Sequence, residues 1–156
     1  YGKLYGLPQT GLRFFTVYGP WGRPDMAPMI FSRKILAGEP IDVFNNGEMA
    51  RDFTYVDDIV AGLVKCMERP PREDITNPVY NIGNNKAEPL MRFIAILEDA
   101  LGTKAEINFM PMQPGDVKET FADIEATRSD FGFEPKTSLD EGLPLFVEWY
   151  RRYYGV

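Results

Sequence analysis

Two features of the 156 residues predict an α/β fold. Short apolar runs of strand length alternate with stretches of helical period. The run 11–18, GLRFFTVY, is almost continuously apolar and aromatic, broken only by Arg13 and Thr16. That pattern fits a strand of a parallel sheet covered on both faces.

The elements follow in order. YGKLYG, residues 1–6, reads as the end of a helix that Leu7-Pro8 stops. The non-methionine start leads to the expectation of a fragment whose beginning lies elsewhere. After the 11–18 strand, Gly-Pro-Trp-Gly makes a turn. Met26 to Ala37 then reads as a helix with Pro28 in its first turn and Gly38 as its stop. Ile41 to Phe44 is a short strand and Asn45-Asn46-Gly47 a turn. Phe53 to Val56 is extended. Asp57 is expected to cap a helix with the apolar stripe Ile59, Val60, Leu63, Val64 and Met67, ended by Pro70-Pro71. Val79 to Ile82 is a strand closed by Gly83. Leu90, Ile94, Leu97 and Leu101 mark a helix ending at Gly102, and Ala105 to Met110 alternates like a strand. Ser138 and Glu141 form a capping box for the last helix, with Leu143, Phe146, Val147 and Tyr150 facing inward. No internal repeat or low-complexity linker divides the chain.

Composition removes several functions. A net charge of −6 opposes a nucleic-acid groove, although a local arginine cluster remains able to hold a small anion. The absence of histidine removes Ser-His-Asp and Cys-His chemistry and argues against a zinc site. Cys66 is the only cysteine, so no intramolecular disulfide forms, and a reduced, cytoplasmic setting is expected. No apolar run reaches the length of a membrane span.

Three stretches carry candidate binding residues. In GPWGRPD, Arg23 is either a solvated charge on a surface turn or a clamp for a carboxylate or phosphate at the carboxyl end of a parallel strand. In GEMARDFTYVDD, Asp57 and Asp58 read as capping acids, whereas Arg51 is an ion-pair partner or an anion ligand. In MPMQPGDV, Pro114-Gly115 turns the chain and presents Asp116, which caps the turn or accepts the hydroxyls of a ribose.

Taken together, RFFTVYGPWGRPDMA, PIDVFNNGEMARDFTYVDDIVAG, PVYNIGN and QPGDV resemble, in this order, the extended short-chain dehydrogenase/reductase family. More narrowly they are similar to the carboxyl-terminal part of the UDP-glucuronate 4-epimerases, and TVYGPWGRPDM carries that narrower likeness. The resemblance implies the last Rossmann strands plus a small substrate-binding lobe. It implies a UDP-sugar substrate, NAD held mainly by an N-terminal half, and a homodimeric parent enzyme. Hydride would leave C4 of the sugar for NAD and return to the other face through a 4-keto intermediate. Such a β-keto acid loses CO₂ if its carboxylate aligns with the carbonyl, so holding the carboxylate aside protects it.

The same resemblance implies roles by position. Thr16 stands where many relatives have asparagine and leaves room for the C6 carboxylate, with Arg23 close to that carboxylate or to the neighbouring phosphate. Met26 and Ala27 offer amides at a helix start to the diphosphate. Phe44 lies against the uracil, with the backbone around Asp42 pairing its edge. Arg51 holds the diphosphate and Asp116 the ribose. Phe14 and Phe15 end near the expected nicotinamide pocket, although core packing explains them equally well. Gln113 replaces an arginine found in several relatives, which removes one phosphate cation.

The cofactor side is nearly absent. No tyrosine has a lysine four positions later, so the Y-x-x-x-K pair is missing and no catalytic residue is assigned. Gly19 and Gly22 begin a G-x-x-G-x-x-G spacing, but Asp25 occupies its third position. The fragment is therefore expected to be inactive. The alternatives are a fragment of a UDP-glucuronate decarboxylase or a 4,6-dehydratase, or a non-catalytic nucleotide-sugar-binding module.

Overall fold

The computed structural model describes residues 1–69 and 77–156. Helix α1 (Gly2–Tyr5) ends at Gly6 in the left-handed conformation. The strand expected over 11–18 is divided. Strand β1 (Gly11–Phe14) and strand β2 (Thr16–Tyr18) flank Phe15. Helix α2 (Ala27–Ala37) begins after Met26, as its pattern requires, and stops at Gly38, whose φ is 70°. Strand β3 (Ile41–Val43) leads into a 3-10 turn over Phe44–Gly47, in which Asn45 and Asn46 take left-handed φ values of 50° and 51°. Asparagine tolerates that region better than most residues.

Strands β4 (Ala50–Arg51) and β5 (Phe53–Tyr55) precede helix α3 (Val56–Met67). The helix is capped by Tyr55 rather than by Asp57, because β5 runs straight into it. Asp57 and Asp58 stand in its first turn, where the helix dipole favours acids. Asp58 is buried and accepts from the Thr137 amide at 2.9 Å. Pro70-Pro71 lie outside the described residues. Strands β6 (Val79–Ile82) and β7 (Glu88–Pro89) follow, then helix α4 (Leu90–Leu101) and strand β8 (Ile107–Phe109), shorter than the alternation at 105–110 promised. Helix α5 (Glu125–Phe131) escapes the sequence pattern because it buries only Thr127 and Phe131. Helix α6 (Leu139–Tyr154) carries the expected capping box: the Glu141 carboxylate accepts from the Ser138 amide at 3.1 Å.

Pairing explains the division at Phe15. Strand β1 runs parallel to β6, and β2 parallel to β5. The Phe15 amide still donates to Ile82, but the Thr16 amide donates to Asp52. One extended segment thus changes neighbour between residues 15 and 16. The sheet is not covered on both faces: Phe14 is 47% exposed. A parallel pair β3–β8 and an antiparallel pair β4–β7 complete the strands.

Two apolar clusters result. The larger packs α2, α4 and α6 against β2, β3 and β5, through Phe31, Ile35, Phe93, Leu97, Leu143 and Phe146. The smaller joins β6, α3 and α5 through Ile59, Ile82, Ile124 and Phe133. Gly62 of α3 permits that contact, since a Cβ there would stand 3.0 Å from the Phe133 ring. The expected stripe of α3 is only partly buried. Ile59 faces the cluster, whereas Val60, Val64 and Met67 are exposed by 50%, 46% and 76%.

Candidate functional site

A cleft of about 520 Å³ opens between the start of α2, the β3 turn and the segment after β8. Its size suits a nucleotide-sized ligand. Thr16, Met26, Ala27, Asp42, Phe44, Arg51 and Asp116 all line it. Seven positions from separate stretches therefore converge on one concavity. Its floor is apolar: Phe53 stacks on Phe93 at a centroid distance of 4.5 Å, and Met49 is buried beside them.

Three other predicted positions lie elsewhere. Phe14 and Phe15 do not line this cleft; Phe15 packs against the smaller cluster. Arg23 is also outside the lining, with its side chain 72% exposed. Its guanidinium forks onto Asp25, with Nε donating at 3.1 Å and Nη2 at 2.8 Å. That pairing holds the Asp25 carboxyl below its usual range. Asp25 itself lines the cleft.

At the α2 start, the Met26 amide already donates to the Arg23 carbonyl at 3.1 Å. Ala27 is the helix-start amide of the pair with no such bond among the described residues. The turn before it is strained: Trp21 adopts a φ of 62° and its ring lies 5.4 Å from Trp149 and 5.0 Å from Tyr153. Aromatic packing onto α6 thus holds the backbone that leads to Met26.

Arg51 and Asp116, given separate ligands by sequence, meet each other. Arg51 Nη2 donates to Asp116 Oδ1 at 2.8 Å. Its Nη1 donates to the carbonyls of Ala50 at 2.9 Å and Lys118 at 3.2 Å. The segment 118–120 lies beside β4, since the Ala50 amide donates to Lys118 and the Thr120 amide to Ala50.

The neighbouring Asp52 is fully buried and holds this arrangement. Its carboxylate accepts from the Asn84 amide at 2.6 Å, the Ala122 amide at 2.8 Å and the Thr54 hydroxyl at 2.8 Å. Gly83 permits the approach, since a Cβ there would lie 2.5 Å from the Ala122 Cβ. Sequence reasoning passed over Asp52, because nothing local announces a carboxylate whose partners come from distant loops.

Lys34 was also passed over. It lines the cleft and donates to Asp42 Oδ2 at 3.3 Å, while Asn108 donates to Asp42 Oδ1 at 2.8 Å. The Asn108 bond, and then Lys34, lower the Asp42 carboxyl below its usual range. A signal existed: Ala27, Ile30, Phe31 and Lys34 have the i, i+3, i+4, i+7 spacing of one helix face, and all four line the cleft. Gln113 lines it too. Among the described residues no group of acids and cysteine could hold a metal ion, and no helix is long and apolar enough to cross a membrane.

Known proteins are similar to the chain in sequence and in fold. The chain is 46% identical over 168 residues to Protein CapI of Staphylococcus aureus, covering 99% of this chain and 50% of the relative. It is 46% identical over 169 residues to UDP-glucuronate 4-epimerase 6 of Arabidopsis thaliana, covering 100% of this chain and 37% of that one. The structure of UDP-glucuronic acid 4-epimerase from Bacillus cereus, in complex with UDP-glucuronic acid and NAD, superposes with a TM-score of 0.90 at 36% identity. That match covers 99% of this chain and 48% of the Bacillus chain. The chain thus spans about half the length of the first curated relatives it matches. The profile of the NAD dependent epimerase/dehydratase family matches residues 1–83, more than half of the sequence, and the chain belongs to that family.

Proposed function

We propose that this chain is the C-terminal, substrate-binding portion of an NAD-dependent UDP-glucuronate 4-epimerase, a homodimer when whole. The observation that carries this reading is the convergence of Thr16, Ala27, Asp42, Phe44, Arg51 and Asp116 on one cleft. The epimerases named above add support through their sequence and fold. They favour epimerisation over decarboxylation or 4,6-dehydration.

Each residue has a part that its chemistry suits. Phe44 offers an aromatic face to the base, and Asp116 offers acceptors to ribose hydroxyls. The remaining N–H groups of Arg51 grip the diphosphate beside the Ala27 amide. Thr16 leaves room for the sugar carboxylate. Arg23 contributes to reading that carboxylate only after leaving Asp25.

NAD, when bound, supplies hydride transfer at the sugar. The described residues do not form a dinucleotide cradle: Phe14 is half exposed, Phe15 is packed inward, and Asp25 interrupts the glycine spacing. The cofactor side is therefore proposed to lie in the other half of the parent chain.

Isothermal titration of the 156-residue chain tests the reading. UDP and UDP-glucuronate are expected to bind saturably. Incubation with UDP-glucuronate and NAD⁺ is expected to yield no UDP-galacturonate. Absence of UDP binding removes the cleft assignment, and turnover at ordinary enzyme rates removes the assignment of a partial site.

A further inference from the structure

We infer that Lys34 is a second phosphate-binding cation of this cleft, exchanging Asp42 for the diphosphate of the ligand. The inference rests on the nucleotide-sugar reading above and adds a residue to it. Among the described residues, Lys34 and Arg51 are the cationic side chains lining the cleft, and they are held differently. Arg51 is fixed by three bonds, to Asp116, Ala50 and Lys118. Lys34 has one long bond, 3.3 Å to Asp42, on an ammonium with three donors.

Its partner does not depend on it. When Lys34 leaves, Asp42 keeps Asn108 at 2.8 Å, and its side chain is 44% exposed and open to water. Breaking the pair therefore strands no buried charge, so the usual penalty for separating an ion pair is small. The lysine stem is mostly covered, with 24% of the side chain exposed, which keeps the ammonium near the cleft whichever acceptor it takes. The position on α2 adds to the argument. Lys34 lies on the same helical face as Ala27, so one rigid element presents both an amide at its start and an ammonium two turns later. Gln113 in the same lining carries no charge, so among the described lining residues Arg51 is the other cation a diphosphate meets.

The test is titration of UDP and of uridine into the unaltered chain and into Lys34→Met, Lys34→Arg and Asp42→Asn. Methionine keeps the stem and removes the charge. Lys34→Met is expected to weaken UDP about tenfold, the lower end for a charge-assisted contact, and to leave uridine unchanged. Lys34→Arg is expected to recover most of the loss. Asp42→Asn is expected to hold or tighten UDP, because it releases the ammonium while Asn108 still has an oxygen to bond. Two outcomes overturn the inference while sparing the cleft: UDP affinity unchanged in Lys34→Met, or equal losses for Lys34→Met and Asp42→Asn, which would make the pair merely structural. Failure of the unaltered chain to bind UDP overturns the cleft reading and this inference with it.

Discussion

Asp52 shows how a single buried residue governs the site without touching its cavity. All three of its described partners are donors, so both oxygens act purely as acceptors. Asp52→Asn places an amide NH₂ against an N–H on one side. A lost or opposed buried bond costs about 1–3 kcal/mol, which for a chain of this size lowers Tm by roughly 2–4 °C per kcal/mol. Thermal unfolding followed by circular dichroism is expected to show that fall, and an unchanged Tm would remove Asp52 as the tie between β4 and the 118–122 segment. Legibility divides at this scale. Arg51 and Asp116 each kept two readings on local sequence alone, and only the family resemblance singled out Thr16; the structure places all three in the lining of one cleft. Lys34 was hidden by looking like an ordinary exposed helix charge. Asp52 was hidden because its partners lie 32 and 70 residues away.

At the scale of elements, periodicity located helices well and their buried faces less well. Helices α2, α4 and α6 end at left-handed glycines; α6 buries its marked face, and α4 buries Ile94, Leu97 and Leu101 and half-buries Leu90. Helix α3 has an equally apolar pattern but covers only part of it, because β6 and α5 reach Ile59, Gly62 and Cys66 and not Met67. Burial depends on which neighbours are present, and a one-dimensional pattern cannot report that. Substitution separates the two faces. Ile59→Ala is expected to cost about 2–4 kcal/mol by transfer and cavity formation. Met67→Lys is expected to stay within about 0.5 kcal/mol. Urea unfolding of both variants checks this, and equal losses would place Met67 in the core. The division of residues 11–18 into two strands was likewise invisible, since a continuous apolar run says nothing of a change of partner.

At the scale of the whole molecule, the α/β class followed directly from alternating strand and helix patterns, but the presence of two apolar clusters did not. Among the described residues, the smaller cluster buries fewer than half as many side chains as the larger. Local opening follows buried contact density, so the smaller cluster is expected to open first. Hydrogen exchange monitored by mass spectrometry should show faster exchange of amides in Val79–Ile82 than in Leu90–Leu101. Equal protection would mean that the clusters unfold as one body, and the reverse order that stability resides on the β6 side. Much of the site's lining comes from the larger cluster's elements and is expected to stay assembled through such openings, whereas Asp116 lies on the segment that Asp52 ties to Ala122 of the smaller cluster.

The Arg51–Asp116 contact carries a consequence for selectivity among solutes. The cleft contains its own competing anion, held beside Arg51 by the bonds between the 118–120 segment and Ala50 and hence present at high effective concentration. A small anion such as chloride, acetate or inorganic phosphate has to outcompete that carboxylate with charge alone, and it gains nothing else from the cavity. A ligand that also covers Phe44 with a ring and offers hydroxyls to Asp116 recovers what sharing Arg51 costs. Intramolecular competition of this kind lowers affinity for every anion but lowers it least for the one with the most complementary groups. Simple salts are thereby expected to fill this cleft poorly beside a ligand that carries a ring and hydroxyls.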